Sequence, residues 1–338
     1  MAGTSLERMP EEIVMHEDPT SGLKAVIVMH SRQLGPAAGG CRLWTYPDDT
    51  AMRADAMRLA EGMTIKNALA GVPLGGGQAV LQLPNRPFDR QRLFEAFGRI
   101  VEGLNGRYIT AEDVGTNTAD MKAVSRVTSF VAGLPRKGRA PGGDPSPYTA
   151  RGVLAAMKIA CERRIGRPLG DCTVAVQGVG AVGAALVRLL RAEGARLVLT
   201  DSNHAKAARL ATQTGATLVD HDNIYSVDAD IFAPCAMGAA LNVETIASMR
   251  FKVVCGAANN QLATHEDAAR LAARDILYAP DFAVNAGGII NVAGEYLRWS
   301  AADVKRRVAD TGARFSSVLD RAERDGLLPH QAATILAE

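Results

Sequence analysis

The residues whose types and spacing first suggest chemistry are Gly178-Val179-Gly180-Ala181-Val182-Gly183, a G-x-G-x-x-G run. It follows the apolar segment TVAVQ and opens the amphipathic segment AVGAALVRLL. In that setting the glycines have separate tasks. Gly178 permits a tight strand-to-helix turn, Gly180 lets a pyrophosphate approach the backbone, and Gly183 lets helix and strand pack closely. The helix that follows points unpaired N–H groups and a positive dipole end at a bound phosphate. The motif alone is a weak signal. Here an acid also closes the next strand, Asp201 in RLVLTDSN, about 20 residues on, where a carboxylate accepts hydrogen bonds from ribose hydroxyls and repels the extra phosphate of NADP. The bland alternative is that Asp201 caps the following helix. Ser202 and Lys206 flank the same nucleotide position, and Lys206 leaves room for NADP, although the acid favours NAD.

The elements that must hold these residues read as an α/β chain. From 148 onward, helical YTARGVLAAMKIACERR, strand TVAVQGV, helix AVGAALVRLLRAEG, strand RLVLTD and helix NHAKAARLATQ alternate, followed by the apolar runs DIFAPCA, FKVVCGAA and ILYAP. Near-continuous apolar strands alternating with helices describe a doubly wound, mostly parallel Rossmann sheet. Before it, LKAVIVMHS (23–31), AVLQLP (79–84) and RYITAED (107–113) read as strands. Segments 51–70 and 88–104 read as helices, the first with Met57, Ala60 and Met63 on one face. The Pro- and Gly-rich stretch LPRKGRAPGGDPSP (134–147) divides the chain into a domain over 1–133 and a dinucleotide-binding domain over 148–300. The amphipathic tail 301–338 is expected to pack back on the first domain.

Composition narrows the class. The 338 residues suit two domains, and 47% hydrophobic content can fill two cores. Basic and acidic residues balance, 38 against 36, and are interspersed, so neither a nucleic-acid surface nor an acidic tail is implied. The opening MAGTSLERMPEEIVMHED lacks the apolar stretch of a secretory signal, and no apolar run reaches the roughly 18–20 residues of a membrane span. Five scattered cysteines, never C-x-x-C, and six dispersed histidines argue against a disulfide framework or a metal site and point to the reducing cytoplasm.

A dinucleotide site alone says cofactor and not substrate. Longer motifs say more: QLGPAAGGCR (33–42), MTIKNALAGVPLGGGQAVL (63–81), YITAEDVGTNTADM (108–121), FAPCAMG (232–238), GAANNQL (256–262) and APDFAVNAGGIINV (279–292). In this order the chain resembles the Glu/Leu/Phe/Val dehydrogenase family, from about residue 20 to beyond 300. It is most similar to the leucine and phenylalanine dehydrogenases, which oxidatively deaminate L-amino acids to 2-oxo acids with NAD. GPAAGG, FAPCAMG and the Asn259-Asn260 pair lean towards the phenylalanine branch.

The resemblance implies an N-terminal α/β substrate and oligomerisation domain beside the Rossmann domain, a cleft that closes on the substrate, and a homo-oligomer. It places Lys66 on the substrate carboxylate, where a fixed cation orients the reacting carbon. Asp113 becomes the group that exchanges a proton with the substrate amine. A solvated helix lysine and a turn-forming aspartate are the plain alternatives. Gly39 and Gly40 would bring substrate close to backbone. Ala38, Met63, Ile289 and Val292 match side-chain pocket positions, for which core packing is an equal explanation. Asn259 and Asn285 match polar residues around nicotinamide and substrate, and Ser146 and Thr149 match hydroxyls near the nicotinamide amide. Cys235, Ala236 and Ala257 complete the nucleotide positions. No metal is implied.

One position departs from the pattern. Where the family carries G-G-G-K, this chain reads Gly75-Gly76-Gly77-Gln78. The family's lysine is the catalytic amine that activates water against an iminium, whereas glutamine hydrogen-bonds but takes no proton near neutrality. Loss of a general base costs about 10²–10⁴ in rate. The sequence leaves three outcomes open. The chain reduces a preformed imine, or is a slowed amino-acid dehydrogenase, or is a silent NAD and ligand sensor or assembly subunit.

Overall fold

The computed structural model describes residues 9–135, 140–236 and 238–338; part of the predicted 134–147 boundary, and Met237 of FAPCAMG, lie outside them. The chain forms two compact units. One comprises residues up to Pro145 with Ile289–Val304 and Ala337–Glu338, the other Ser146–Gly288 with Lys305–Leu336.

The first unit runs β1 (Glu12–Asp18), β2 (Leu23–Ser31), β3 (Ala37–Trp44), α1 (Asp49–Leu69), β4 (Gly75–Gln82), α2 (Arg90–Gly103), β5 (Tyr108–Glu112) and α3 (Thr118–Val124). Its five strands lie in the order β1-β2-β4-β3-β5. Strand β2 pairs antiparallel with β1 and β4, and β3 pairs parallel with β4 and β5. The unbroken apolar run of β2 follows from burial on both faces. Leu23, Ala25, Ile27 and Met29 join one core with Leu93, Phe94 and Phe97 of α2. Val26 and Val28 join another with Met52, Ala56 and Leu59 of α1. Alternate residues of a strand point to opposite faces, so this strand must be apolar at nearly every position. The buried seam of α1 is therefore Met52, Ala56, Leu59 and Ala60, not the predicted Met57–Ala60–Met63 face, whose two methionines are only half-buried.

The second unit runs α4 (Ser146–Ala160), β6 (Thr173–Gln177), α5 (Ala181–Ala192), β7 (Arg196–Thr200), α6 (His204–Thr214), β8 (Thr217–Leu218), β9 (Ile231–Pro234), α7 (Val243–Ser248), β10 (Val253–Val254), α8 (Glu266–Ala273), β11 (Leu277–Tyr278) and α9 (Asp281–Val284). All strand pairs are parallel, in the order β11-β10-β9-β6-β7-β8. The chain starts at the centre, winds outward one way to β8, then restarts on the other side at β9. That order is the doubly wound dinucleotide-binding arrangement, with its switch point between β6 and β9.

Four helices follow: α10 (Gly287–Tyr296), α11 (Ala301–Ala309), α12 (Thr311–Asp325) and α13 (Pro329–Ala337). The tail 301–338, expected with the first unit, is divided: residues 301–304 and 337–338 group with the first unit and 305–336 with the second. Helix α12 lies on α4 and α9 of the second unit. Its buried face is Phe315, Val318, Leu319 and Ala322, and Gly312 lets it approach Ala155, to whose carbonyl a Cβ would stand at 3.1 Å. Arg163 then clamps Ser316 at 3.0 Å and Asp320 at 2.5 Å. Amphipathicity shows that the tail buries one face, and not which surface receives it.

Candidate functional site

In the first unit the predicted residues converge on adjoining strands β4, β3 and β5. Glycine makes the convergence possible. A Cβ on Gly76 would stand 2.2 Å from the Thr64 backbone nitrogen, so α1 lies directly against β4. A Cβ on Gly39 would stand 1.7 Å from the Gly77 carbonyl oxygen, and one on Gly40 2.6 Å from Asp113 Cβ. These two glycines thus have a packing reason independent of any ligand. Asn67, fully buried, ties α1 to the strands by donating to the Gly75 carbonyl at 2.5 Å and the Ala38 carbonyl at 3.4 Å.

Gln78 sits inside β4, 2% exposed, at the place where the ladder between β3 and β4 lapses opposite Gly39 and Gly40. Its Oε1 accepts the Gly40 N–H at 3.0 Å and its Nε2 donates to Asp113 Oδ2 at 2.8 Å. The carboxamide therefore bridges strand backbone and carboxylate. Asp113 is held at the end of β5 by a tight turn. Thr116 Oγ1 accepts the Asp113 N–H at 2.9 Å and lies 2.9 Å from the Cys41 carbonyl. Gly115 has φ +80°, and a Cβ there would meet the Leu43 carbonyl oxygen at 1.9 Å. Lys66, in the last turn of α1, is 8% exposed. Ala38, Ile289 and Val292 are buried and Met63 half-buried, and all four belong to this unit.

One charged group here was not singled out from sequence. Arg42 of β3 lies within QLGPAAGGCR, and its Nε reaches Asp113 Oδ2 at 3.3 Å. Its other arm holds Asp55 of α1 at 3.0 Å, and Asp55 in turn accepts the Tyr46 hydroxyl at 2.5 Å. Burial works against the Arg42 charge, but Asp113 and Asp55 outweigh it and the net shift of its pKa is upward. The available signal was period two: Ala38, Gly40 and Arg42 share one face of β3. Paired glycines depress strand propensity and so mask β3 itself in the sequence.

In the second unit the glycine run forms the turn between β6 and α5. Gly178 has φ +92°, and a Cβ would strike Ala236 at 2.8 Å; a Cβ on Gly183 would lie 2.0 Å from the Gly178 carbonyl oxygen. Gly180, the N-cap of α5, differs: among the described residues a Cβ there meets nothing within 4 Å, and no side chain caps the helix. Val179 is buried, Val182 half-buried and Ala181 exposed. Asp201 accepts the Val179 N–H at 2.7 Å and the Asn203 N–H at 2.8 Å. It is not the cap of α6. Asn203 is, through the Lys206 N–H at 3.0 Å. A carboxylate offers about four lone-pair sites, so Asp201 retains capacity for hydroxyl donors. Ser202 and Lys206 are exposed beside it.

On the opposite side of the switch point, Cys235 follows β9 and Ala236 packs against the Gly178 turn. Asn285 donates to the Ala257 carbonyl at 3.1 Å and to Asn259 Oδ1 at 2.9 Å, while its own Oδ1 is buried without a partner among the described residues. An orphaned buried acceptor costs about 1–3 kcal/mol and marks a place built to receive a donor. Ser146, buried, and Thr149, half-buried, occupy the first turn of α4. An open glycine at a helix N-terminus, an acid after the next strand and an unpaired amide oxygen fit a dinucleotide.

Comparison with known proteins agrees. Residues 8–130 match the Glu/Leu/Phe/Val dehydrogenase dimerisation domain, and residues 199–338 match the Glutamate/Leucine/Phenylalanine/Valine dehydrogenase domain. The chain is 46% identical to a leucine dehydrogenase of Bacillus subtilis (strain 168), over 97% of its own length and 90% of the relative's. It is 38% identical to a phenylalanine dehydrogenase of Bacillus thermotolerans, over 99% and 90%. Among solved structures it resembles L-tryptophan dehydrogenase from Nostoc punctiforme, with TM-score 0.80 and 37% identity over 97% of this chain and 94% of that one.

Proposed function

Because the chain belongs to the Glu/Leu/Phe/Val dehydrogenase family, whose members depend on NAD(P), we propose that it is an NAD-linked oxidoreductase acting at the CH–NH2 or C=N group of an L-amino acid or derived imine, with its ordinary deamination curtailed at Gln78. The bridge from Gly40 through Gln78 to Asp113 carries this reading.

Bound NAD supplies the hydride acceptor or donor. The protein's part divides among the residues described above. In the second unit, Gly178, Gly180 and Gly183 with the α5 N-terminus receive the pyrophosphate, and Asp201 takes the ribose hydroxyls. Asn285 and Asn259 orient polar groups of nicotinamide and substrate. In the first unit, Lys66 pairs with the substrate carboxylate and aligns the α-carbon. Asp113 exchanges a proton with the substrate nitrogen. Ala38, Met63, Ile289 and Val292 surround an apolar side chain.

Where the family's lysine would accept a proton from attacking water, Gln78 holds its Nε2 donor against Asp113 and its Oε1 against backbone. Neither end binds a proton near neutral pH. Hydration of an iminium thus lacks its base, whereas protonation of a C=N nitrogen by Asp113 does not need one. Preformed imine reduction is the step these residues support best. The N-terminal match to a dimerisation domain supports a homo-oligomer, and five free cysteines support a cytoplasmic setting.

The test follows reduced nicotinamide by absorbance with a panel of L-amino acids, 2-oxo acids with ammonia, and cyclic imines, on the parent chain and on Gln78→Lys. Imine turnover by the parent, with deamination restored only in Gln78→Lys, supports the reading. NAD binding without turnover of any substrate by either protein refutes it and leaves a sensor.

A further inference from the structure

The Asn259–Asn285 pair sits on two separate segments of the second unit. Asn259 belongs to the loop after β10, and Asn285 ends α9, a helix of a single turn. Asp281 joins the two. It opens α9 and is 8% exposed. Its Oδ2 accepts the Asn260 N–H at 2.7 Å and its Oδ1 accepts the Tyr278 hydroxyl at 3.2 Å. Its carbonyl accepts the Asn285 N–H at 2.8 Å. A capping aspartate spends its oxygens on its own helix; these two reach residues 21 and 3 positions back, outside α9.

The loop needs such a hold. Asn260 has φ +51°, in the left-handed region that residues with side chains occupy only when their surroundings impose it. Ala239, itself at φ +60°, donates its N–H to the Asn260 carbonyl at 2.7 Å. Asn260 is therefore gripped at its N–H by Asp281 and at its C=O by Ala239, and the direction of the preceding side chain, Asn259, is fixed with it. With Asn259 Oδ1 at 2.9 Å and the Ala257 carbonyl at 3.1 Å, the Asn285 amide has both acceptors on its nitrogen end. It cannot flip without losing them. The network thus decides which end of that amide stays available, and it is the oxygen, an acceptor suited to an amide N–H.

We propose that Asp281 is a positioning residue of the cofactor site: by holding the Asn260 N–H it aims Asn259 at Asn285, and so presents the Asn285 oxygen as the acceptor for the nicotinamide carboxamide. The inference rests on the nucleotide reading given above for where the nicotinamide lies. What counts is the place of a hydrogen-bond acceptor and not its charge, and three substitutions separate the two. Asp281→Asn keeps an oxygen for the Asn260 N–H and turns its new N–H groups to the Tyr278 oxygen, since a phenolic hydroxyl accepts as well as donates. Asp281→Glu keeps the charge and moves it by a methylene. Asp281→Ala removes the acceptor outright.

The experiment measures, by calorimetric titration of the intact protein, the binding of reduced NAD and of ADP-ribose, which lacks the nicotinamide, with urea midpoints beside them. In Asp281→Ala and Asp281→Glu the affinity for reduced NAD should fall about tenfold or more, the scale of one well-placed hydrogen bond. Affinity for ADP-ribose should stay within about twofold of the parent's, and Asp281→Asn should bind both ligands as the parent does. Affinities for both ligands that fall alike, together with the urea midpoint, mark a merely structural aspartate and overturn the proposal. So does an order led by charge, with Asp281→Glu like the parent and Asp281→Asn weakened. If Asp281→Ala does not fold, parent-like binding of reduced NAD by Asp281→Glu overturns it alone. Equal affinity of the parent for the two ligands shows that the nicotinamide finds no hold, and overturns it as well. All these outcomes leave the nucleotide reading standing; binding of neither ligand by the parent refutes that reading, and the proposal falls with it.

Discussion

The two units use clustered glycines at corresponding moments of their architecture, for different ends. In the first unit Gly39, Gly40, Gly75, Gly76 and Gly77 lie within or at the start of strands, and an added Cβ on any of them meets neighbouring atoms at 3.0 Å or less. In the second, Gly178 and Gly183 are equally crowded, but Gly180 between them faces nothing within 4 Å among the described residues. Crowded glycines let protein approach protein; the open one lets something else approach. The contrast separates glycines that build a site from a glycine that leaves room in it.

The largest effect expected from breaking that contrast is chemical. Gln78→Lys places an ammonium where the carboxamide now meets Asp113, on a strand whose backbone is already fixed by its crowded glycines. Deamination of leucine- or phenylalanine-like substrates should rise by about 10²–10⁴, the scale of a general base, measured as initial rates of nicotinamide reduction. An unchanged rate would mean that the chemistry is limited elsewhere. Next comes stability. Gly39→Ala should cost about 3 kcal/mol or more, as overpacking against a carbonyl does, read as a lowered midpoint in urea. A midpoint equal to the parent's would show that β3 and β4 separate easily.

The open glycine should behave in the opposite sense. Gly180→Ala is expected to move the urea midpoint by less than about 1 kcal/mol while weakening NAD binding tenfold or more, a change of about 1.4 kcal/mol, by calorimetric titration. Equal losses of stability and affinity would erase the distinction. The smallest effect concerns the neighbouring loop. Asn203→Ala removes the α6 cap and should cost about 1 kcal/mol with NAD affinity little changed, because Asp201 keeps the Val179 N–H. A large loss of affinity would make Asn203 part of the nucleotide site.

The second unit was legible in the sequence because its signals are local. A strand, a glycine turn and a helix follow each other within 173–192, and Asp201 ends the next strand. The first unit was legible only in part. The apolar runs of β2 and of residues 79–82 announced themselves, but β1 and β3 did not. Strand β1 is EIVMHED, polar because it pairs at a sheet edge with much of it exposed. Strand β3 and the opening of β4 are glycine-rich, which reads as loop in any local window. Arg42 was hidden with β3, and its link to Asp113, seventy-one residues on, is a property of pairing between strands. The grouping of 305–336 with the second unit was hidden for a related reason, since the partner of an amphipathic face is not written in the face.

The division of the chain has one more consequence, for its synthesis. The first unit needs Ile289–Val304 and the second needs Lys305–Leu336. Neither has these residues until synthesis has passed 304 for the first and 336 for the second. At about 5–20 residues per second, the early strands wait many seconds for α10, whose Glu295 carboxylate receives the Gly133 N–H at 2.7 Å. During that interval the surfaces that the later segments cover stay open to solvent.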